Sequence, residues 1–291
     1  MMDFCATRSI LLTDRARIDN LYAKYGHGDS AHAFPSLYLW QRDMGLALAL
    51  HESVYTVRCH WKGEGAWFFP VGSDAEKAAC IEALLENGLQ SFCYVTESDA
   101  EFLEQRFPGA FNISEVPGDS EYLYDRREMF EMPGKRFEKI RNLYRRLERE
   151  HTITAQVITK STLGAAQSVE AAWQPRSDTR RTFQEHGAIE CMLQDCMTLG
   201  MRGVLLTLDG TPWAVAAGYP LTDTVFDCCL MKARKNLPGV TEHVRAALAQ
   251  SLPENIKTVN LEEDLGLEGL RCTKTRFRPI GSVRMFKGDR R

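Results

Sequence analysis

The chain has 291 residues, of which 44% are hydrophobic and 26% are charged, and its formal net charge is −3 at pH 7. That composition is typical of a globular protein of one or two domains and excludes a disordered, collagen-like or disulfide-dominated chain. No apolar run approaches the roughly 18 residues that span a bilayer, and the nine cysteines are odd in number and contain no CxxC pair. We therefore expect a cytoplasmic protein with free thiols and no integral membrane association.

In the first half of the chain, the hydrophobic pattern changes repeatedly between helical and strand periods. The predicted elements are a helix over 13–25, strands over 54–61 and 66–71, a helix over 74–87, a strand over 91–95, a helix over 98–107 and a strand over 111–116. Gly88 follows the second helix in the position of a left-handed C-cap, and Ser98 or Asp99 is the expected cap of the third.

The second half begins with further helices and ends with the same succession of elements. The predicted elements are a strand over 152–160, helices over 162–173 and 185–200, strands over 203–208, 212–219 and 224–231, a helix over 240–252, a strand over 256–261, a helix over 265–274 and a strand over 282–286. Asp209 and Gly210 separate two of these strands and predict a tight hairpin turn. Both halves therefore end in the order β-β-α-β-α-β, which favours a tandem duplication.

This element order resembles the GNAT fold of the GCN5-related N-acetyltransferase superfamily, in which a mixed sheet opens beside its fourth strand to admit the donor. The usual pyrophosphate loop, Q/R-x-x-G-x-G/A, is absent, and KARKNLPGV stands in its place. The predicted fold class is mixed α/β, with two tandem GNAT-like domains joined by a basic helix. The predicted boundaries are 1–132 for a degenerate N-terminal domain, 133–150 for the linker helix and 151–291 for a donor-binding C-terminal domain.

Positive charge is concentrated in two segments, 126–150 with a net charge of +4 and 271–291 with +7, so the rest of the chain is acidic. Within the linker helix, one face is apolar, comprising Phe137, Ile140, Leu143, Tyr144 and Leu147. The opposite face is cationic and polar, comprising Lys135, Lys139, Asn142, Arg146 and Arg149. Because like charges four residues apart destabilise a helix, this face suggests a polyanion-binding surface; pairing with acidic side chains of the acidic domain bodies is the alternative.

Two segments, GKRFEKIRN at 134–142 and NLEEDLGLEGLRCTKTRFRP at 260–279, resemble the phosphatidylglycerol lysyltransferase C-terminal-like family. The resemblance implies two GNAT-like domains joined by a basic helix. It also implies, from the membrane-bound members, transfer of an amino acid from aminoacyl-tRNA to a lipid headgroup. Phe277 replaces the aromatic hydroxyl expected before the final proline, which removes one proton donor. A lipid acceptor would have to be reached from solution, through peripheral membrane contact.

The loop before the 240–252 helix is the predicted phosphate site, because cations there precede a helix N-terminus with free N–H groups. Its residues are Lys232, Arg234, Lys235 and Gly239. A CoA pyrophosphate or the 3′ end of a tRNA would suit such a site. The equivalent loop of the first half carries Asp74 and Glu76, which would repel phosphate. The alternative is a set of ordinary surface cations beside a turn.

Three carboxylates are the candidate general bases for removing a proton from the acceptor: Glu190, Glu263 and Asp264. Asp264 is also the expected N-cap of the helix that follows. Arg271 and Lys274 lie near the apolar side of that helix, where they bind either a substrate anion or a structural partner such as Glu263 or Glu190. The seven histidines show no metal-ligand spacing, and neighbouring Cys228 and Cys229 are expected to fill the core on opposite faces of a strand.

The resulting functional hypothesis is an acyl or aminoacyl transferase. The donor would be an aminoacyl-tRNA or an acyl-CoA, used as a co-substrate with no tightly bound cofactor, and the acceptor an amine or a hydroxyl. The basic helix favours tRNA, whereas the compact phosphate loop favours CoA. The alternative is a GNAT-like binding or regulatory protein without catalysis, which the absent pyrophosphate motif and Phe277 favour.

Overall fold

The computed structural model of the protein describes residues 6–173, 185–234 and 237–291. Its contacts divide the chain into two compact units. The first unit comprises Met1–Glu121, Glu263–Leu267 and Val283–Arg291, and the second comprises Tyr122–Glu262 and Glu268–Ser282. Each unit contains a mixed sheet with helices, so the predicted mixed α/β fold class is confirmed.

The elements follow the predicted order closely. The helices are α1 (Arg15–Tyr25), α2 (Phe34–Trp40), α3 (Asp74–Glu86), α4 (Glu97–Arg106), α5 (Arg126–Glu131), α6 (Glu138–Glu150), α7 (Leu163–Ala172), α8 (Glu185–Asp195), α9 (Val240–Ser251) and α10 (Glu268–Arg276). The strands are β1 (Leu46–Leu50), β2 (Val54–Cys59), β3 (Ala66–Phe68), β4 (Val71–Gly72), β5 (Ser91–Val95), β6 (Phe111–Glu115), β7 (Glu121–Asp125), β8 (Ile153–Val157), β9 (Arg202–Leu208), β10 (Thr211–Pro220), β11 (Val225–Ala233), β12 (Thr258–Asn260), β13 (Gly281–Val283) and β14 (Phe286–Arg290). Helices α2 and α5 are additions to the predicted set.

Local sequence signals explain several of these boundaries. Asp209 and Gly210 both have positive φ between β9 and β10, as the predicted hairpin requires. Gly88 adopts the expected left-handed conformation after α3. The cap of α4 differs from the prediction: Thr96 is the N-cap, and the Asp99 carboxylate accepts a hydrogen bond from the Thr96 amide in a capping box.

The sheet of the first unit has the strand order β1-β2-β3-β5-β14-β6, with β4 paired to β2. Strands β3 and β5 are parallel, and β14 runs antiparallel between β5 and β6. The sheet of the second unit has the order β13-β7-β12-β11-β10-β9-β8, with β11 and β12 parallel. Each sheet thus combines antiparallel strands with one parallel pair.

The last strand of each sequence half lies in the sheet of the other half. Strand β7 precedes the linker helix in sequence but pairs with β12, and β14 at the C-terminus pairs with β5 and β6. The unit boundaries therefore differ from the predicted limits at 132 and 150. The strand predicted over 282–286 is in fact two strands, β13 and β14, in different sheets. Periodicity identifies a strand but says nothing about its pairing partner, which is why the sequence did not indicate this exchange.

The two faces of the second sheet carry different helices. Val240 and Val244 of α9 share a buried cluster with Ala214 and Ala216 of β10, and Phe137 and Ile140 from the linker segment belong to the same cluster. On the other face, α7 packs against β10 and β11, and Cys229 Sγ lies 3.8 Å from Met192 Sδ of α8. Helix α9 is buried on almost every side, which is wider than the single apolar stripe in its sequence.

Candidate functional site

Strands β11 and β12 separate in the middle of the second sheet. They pair over three residues only, ending at Asp227 opposite Asn260, and β11 continues to Ala233 after β12 has ended. The register between β10 and β11 shifts here, so that Cys228 and Cys229 lie opposite the single residue Gly218. A Cβ on Gly218 would lie 1.7 Å from the Asp227 carbonyl oxygen, so the bulge requires glycine on the facing strand.

Four charged side chains surround Cys228 at this bulge. Burial raises the pKa of the Cys228 thiol, the carboxylates of Asp227 and Glu262 raise it further, and the cations Arg245 and Lys274 act in the opposite direction. Asp227 is completely buried, and Cys228 shares the core on the α9 face. We name these residues the bulge cluster: Asp227, Cys228, Arg245, Glu262 and Lys274. The predicted orientation of Cys228 and Cys229 toward opposite faces is confirmed by their contacts.

Lys274 stabilises the backbone that follows β12. Its Nζ donates to the carbonyl oxygens of Leu261 at 2.5 Å and Glu262 at 2.8 Å. Glu262 has a positive φ of 57°, so these bonds stabilise a backbone conformation that is unfavourable for a non-glycine residue. These contacts resemble the structural role predicted for Lys274, except that its partners here are carbonyl groups of the backbone. Arg271, on the same helix, is exposed.

Arg245 lies between two aromatic rings. Its guanidinium carbon is 3.6 Å from the centroid of the Phe277 ring and 4.7 Å from that of Tyr124. Burial lowers the pKa of Arg245 to about 10, which leaves the side chain charged at neutral pH. The Tyr124 hydroxyl donates to the Lys274 carbonyl at 2.8 Å. Phe277, which replaces the expected aromatic hydroxyl, is therefore a buried stacking partner of a cation.

The predicted phosphate-loop residues lie on opposite faces of the second sheet. Lys232 Nζ is 4.0 Å from the centroid of the Trp173 ring, and Arg234 Nη2 donates to Ser168 Oγ at 3.1 Å, so both cations lie beside α7. Gly239 is the N-cap of α9, on the other face. Lys235 lies outside the described residues. The structure thus brings Lys232 and Arg234 to one helix but does not bring them together with Gly239.

The start of α9 is closely packed and already contains a carboxylate. A Cβ on Gly239 would lie 2.6 Å from the Leu143 carbonyl oxygen of α6, so that helix covers the end of α9. Glu242, in the first turn, is buried and forms an ion pair with Arg276 at 3.0 Å. An acidic side chain near a helix N-terminus satisfies the positive end of the helix dipole. The sequence predicts phosphate binding at the start of α9 and not at the start of α3, where Asp74 and Glu76 lie. Because Glu242 is also acidic, the two helix starts differ less in charge than the sequence suggests.

The three predicted catalytic carboxylates have different surroundings. Glu190 is exposed on α8 of the second unit and accepts a hydrogen bond from Gln194 at 3.3 Å. Asp264, in the first unit, is fully buried, and its Oδ1 accepts from the Gly266 amide at 2.8 Å. Because α10 begins only at Glu268, the prediction that Asp264 caps this helix is wrong: it stabilises the preceding turn. Glu263, the third carboxylate, is half-buried in the first unit. Burial raises the pKa of the Tyr94 hydroxyl there, and the charge of Glu263 raises it further.

The linker helix α6 is amphipathic as predicted. Its apolar residues Ile140 and Leu147 are buried, and the Tyr144 ring stacks on His243 of α9 at 3.5 Å. The polar face is exposed and comprises Lys139, Asn142, Arg146 and Arg149, and it is continued by exposed Lys135 in the 3-10 turn that precedes the helix. Arg146 pairs at 2.8 Å with Glu150 of the same helix, which is not the predicted alternative of pairing with acids from the domain bodies. Within the described chain, Lys135, Lys139 and Arg149 form no ion pair.

The sequence analysis did not select Asp227, Arg245 or Tyr124. Two signals were nevertheless present. Asp227 interrupts the apolar run VFDCCLM, and Arg245 interrupts VRAALA, each in an element whose neighbours are buried. A charged residue within a buried element requires a partner or a ligand. Asp227 and Arg245 both belong to the bulge cluster.

The chain belongs to the phosphatidylglycerol lysyltransferase C-terminal family, whose sequence model matches residues 22–286. The chain is thereby assigned to the family that segments 134–142 and 260–279 resemble. A search of curated proteins finds no match. No helix in the described part of the chain is long and apolar enough to cross a membrane.

Three solved structures are similar to this chain. A conserved protein of unknown function from Bacteroides thetaiotaomicron has 24% identity and a TM-score of 0.89, over 98% of this chain and 99% of that chain. L-PGS from Bacillus licheniformis has 16% identity and a TM-score of 0.68, over 95% and 92%. An Agrobacterium fabrum domain, described as the C-terminal domain of a lysylphosphatidylglycerol synthetase, has 16% identity and a TM-score of 0.67, over 96% and 92%. At these identities the similarity concerns the fold.

Proposed function

We propose that this protein is an aminoacyltransferase that takes an amino acid from aminoacyl-tRNA and transfers it to a hydroxyl or amine acceptor. The observation that carries the proposal is the exposed cationic face of α6. Lys135, Lys139 and Arg149 have no acidic partner within the described chain, and the opposite face of the helix is fixed by burial of Ile140 and Leu147. A rigid row of cations suits a polyphosphate backbone.

Two features make an acyl-CoA donor less suitable. A pyrophosphate-binding site at a helix N-terminus needs free amide groups and open space. At the start of α9, Gly239 lies against Leu143, and Glu242 places a buried carboxylate in the first turn. Lys232 and Arg234 are directed to Trp173 and Ser168 beside α7. These contacts favour tRNA over CoA.

The proposed reaction forms a bond between the acceptor oxygen or nitrogen and the aminoacyl carbonyl carbon, and it breaks the ester bond to the tRNA ribose. The acceptor proton passes to a carboxylate and then to the departing ribose oxygen. Glu190 is exposed, and Asp264 already accepts a bond in its own turn. We assign proton acceptance to Glu262 of the bulge cluster, which is half-buried and follows β12 where the strands separate; Asp227 is completely buried.

The test is tRNA binding as a function of salt concentration, with a charge-reversal variant of α6. For the variant Lys135→Glu/Lys139→Glu/Arg149→Glu, we expect weaker binding and a slope of log affinity against log salt that is lower by about 2 to 3. The matched control reverses three exposed cations of the first unit, Arg17, Lys24 and Arg106. The control should leave the slope unchanged.

Acetyl-CoA binding and aminoacyl transfer complete the test. Equal weakening by both triple variants, or a saturable acetyl-CoA complex without tRNA binding, would contradict the proposal. Binding of tRNA without transfer of a labelled amino acid to any added acceptor would instead support the alternative, a GNAT-like binding protein without catalysis. The burial of Phe277 against Arg245, where a hydroxyl was expected, is the observation that favours this alternative.

A further inference from the structure

Arg245 has hydrogen-bond donors that nothing in the described chain satisfies. The residue is 3% exposed, and its Nε and Nη2 atoms are buried without a hydrogen-bond partner. The rings of Phe277 and Tyr124 attract the guanidinium through their faces, but they cannot accept the N–H bonds that point outward in the guanidinium plane. The positive charge is stabilised, whereas two of its donors have no acceptor.

The acidic group closest in sequence is already used elsewhere. Glu242, one helical turn before Arg245, is ion-paired with Arg276 at 3.0 Å. Lys274, the second cation of the bulge cluster, is bonded to two backbone carbonyls. A buried guanidinium with unmade hydrogen bonds is unfavourable and is retained in proteins where a ligand completes it. No carboxylate of the described chain bonds Nε or Nη2 of Arg245, the buried Asp227 of the same cluster included, so an external anion is the partner that we assign to it.

We propose that Arg245 binds the phosphodiester group of a substrate at the bulge cluster. This inference rests on the proposed function, because both reactants of such a transfer can carry a phosphodiester: the last internucleotide linkage of the tRNA, or a glycerophosphodiester headgroup of the acceptor. A guanidinium fork matches two phosphate oxygens, and the Phe277 and Tyr124 rings fix the plane of that fork. Arg245 is a binding residue here and takes no part in proton transfer.

The experiment measures thermal unfolding of the full chain with and without two phosphodiester probes, the dinucleotide cytidylyl-adenosine and glycerophosphoglycerol. The variant Arg245→Met removes the charge while retaining an apolar side chain of similar length. We expect one probe to raise the Tm of the wild type. In Arg245→Met, that shift should disappear and the Kd should rise at least tenfold, while the Tm without probe stays equal to that of the wild type or increases.

The matched control is Arg276→Met, which removes the arginine that is paired with Glu242 and lies outside the bulge cluster. It leaves Glu242 buried without its partner, so the Tm without probe should fall while the probe-induced shift is retained. Arg245→Lys keeps the charge but loses the fork, and we expect intermediate binding. This variant also serves as the test if Arg245→Met does not fold.

The proposal is overturned if neither probe shifts the wild-type Tm. It is equally overturned if Arg245→Met lowers the Tm as Arg276→Met does and still responds to the probe; Arg245 would then be a structural brace between two rings. The responding probe distinguishes the tRNA linkage from the headgroup. Failure of the proposed function is separate, since it would appear as loss of salt-dependent tRNA binding through α6 while probe binding at Arg245 persists.

Discussion

The two units contain similarly connected sheets, but their buried charged side chains differ in the hydrogen-bond partners that they have. In the first unit, His32 Nδ1 lies 2.7 Å from Asp29 Oδ1, and both residues are almost completely buried. Glu121 accepts hydrogen bonds from the Ser30 amide and hydroxyl at 2.8 and 2.7 Å. In the second unit, Arg245 is equally buried but has two donors without acceptors. In the first unit each of these buried charges has a side-chain or backbone partner, although His32 Nε2 is also buried without one; in the second unit we assign the two unmade bonds of Arg245 to a ligand.

Breaking the buried pair of the first unit should give the largest effect. We expect His32→Leu to lower the free energy of unfolding by about 3–5 kcal/mol, because it leaves Asp29 buried without its cation. Arg284→Leu, which removes an exposed cation from Glu97 and Glu115 in the same unit, should have only a small effect. Chemical denaturation of the three proteins measures the difference. Equal losses would mean that the His32–Asp29 pair contributes no more than a surface contact.

The packed start of α9 provides the next prediction. Gly239→Ala places a Cβ against the Leu143 carbonyl and requires a non-glycine residue at a φ of 98°, so we expect a loss of about 3 kcal/mol. Gly210→Ala is the control, since it has a φ of 78° but open space around the Cβ, and it should cost about 1 kcal/mol. If the two substitutions cost the same, α6 does not pack tightly on α9.

The smallest effect is a pH dependence of opposite sign in the two units. Burial opposes protonation of His32, but the Asp29 carboxylate outweighs it and raises the pKa above the ordinary 6.5. Burial lowers the pKa of His243, although the Tyr144 carbonyl accepts a bond from its ring. The stabilisation from His32 is therefore complete below pH 6.5 and is lost as pH rises through the raised pKa. That from His243 is complete above pH 6.5 and is lost as pH falls.

Urea unfolding of two variants from pH 5.5 to 9 measures these contributions. The stability lost in His32→Leu should be largest at low pH and decrease as pH rises. The stability lost in His243→Gln should be largest above pH 7 and decrease on acidification. Parallel trends for the two variants would contradict the stated environments of the two rings.

Much of the fold could be predicted because its signals are local. The Asp209-Gly210 turn, the helix over 74–86 and the amphipathic α6 all follow from patterns within about 15 residues. The candidate site was harder to predict. Lys232 and Gly239 are close in sequence, yet they lie on different faces of the sheet, because the Lys232 side chain extends from β11 to Trp173 beside α7, whereas Gly239 begins α9 on the other face.

The sequence by itself determined where most helices and strands form, although not α2, α5 or β7. It also determined which face of α6 is cationic and which family the chain resembles, since each of these depends on residues near one another in the chain. Only the tertiary structure decided that β7 and β14 join the sheets of opposite halves, that Glu242 and α6 occupy the start of α9, and that Arg245 is enclosed by Phe277 and Tyr124. These contacts join residues from about 30 to more than 100 positions apart in the chain. No local pattern can encode them.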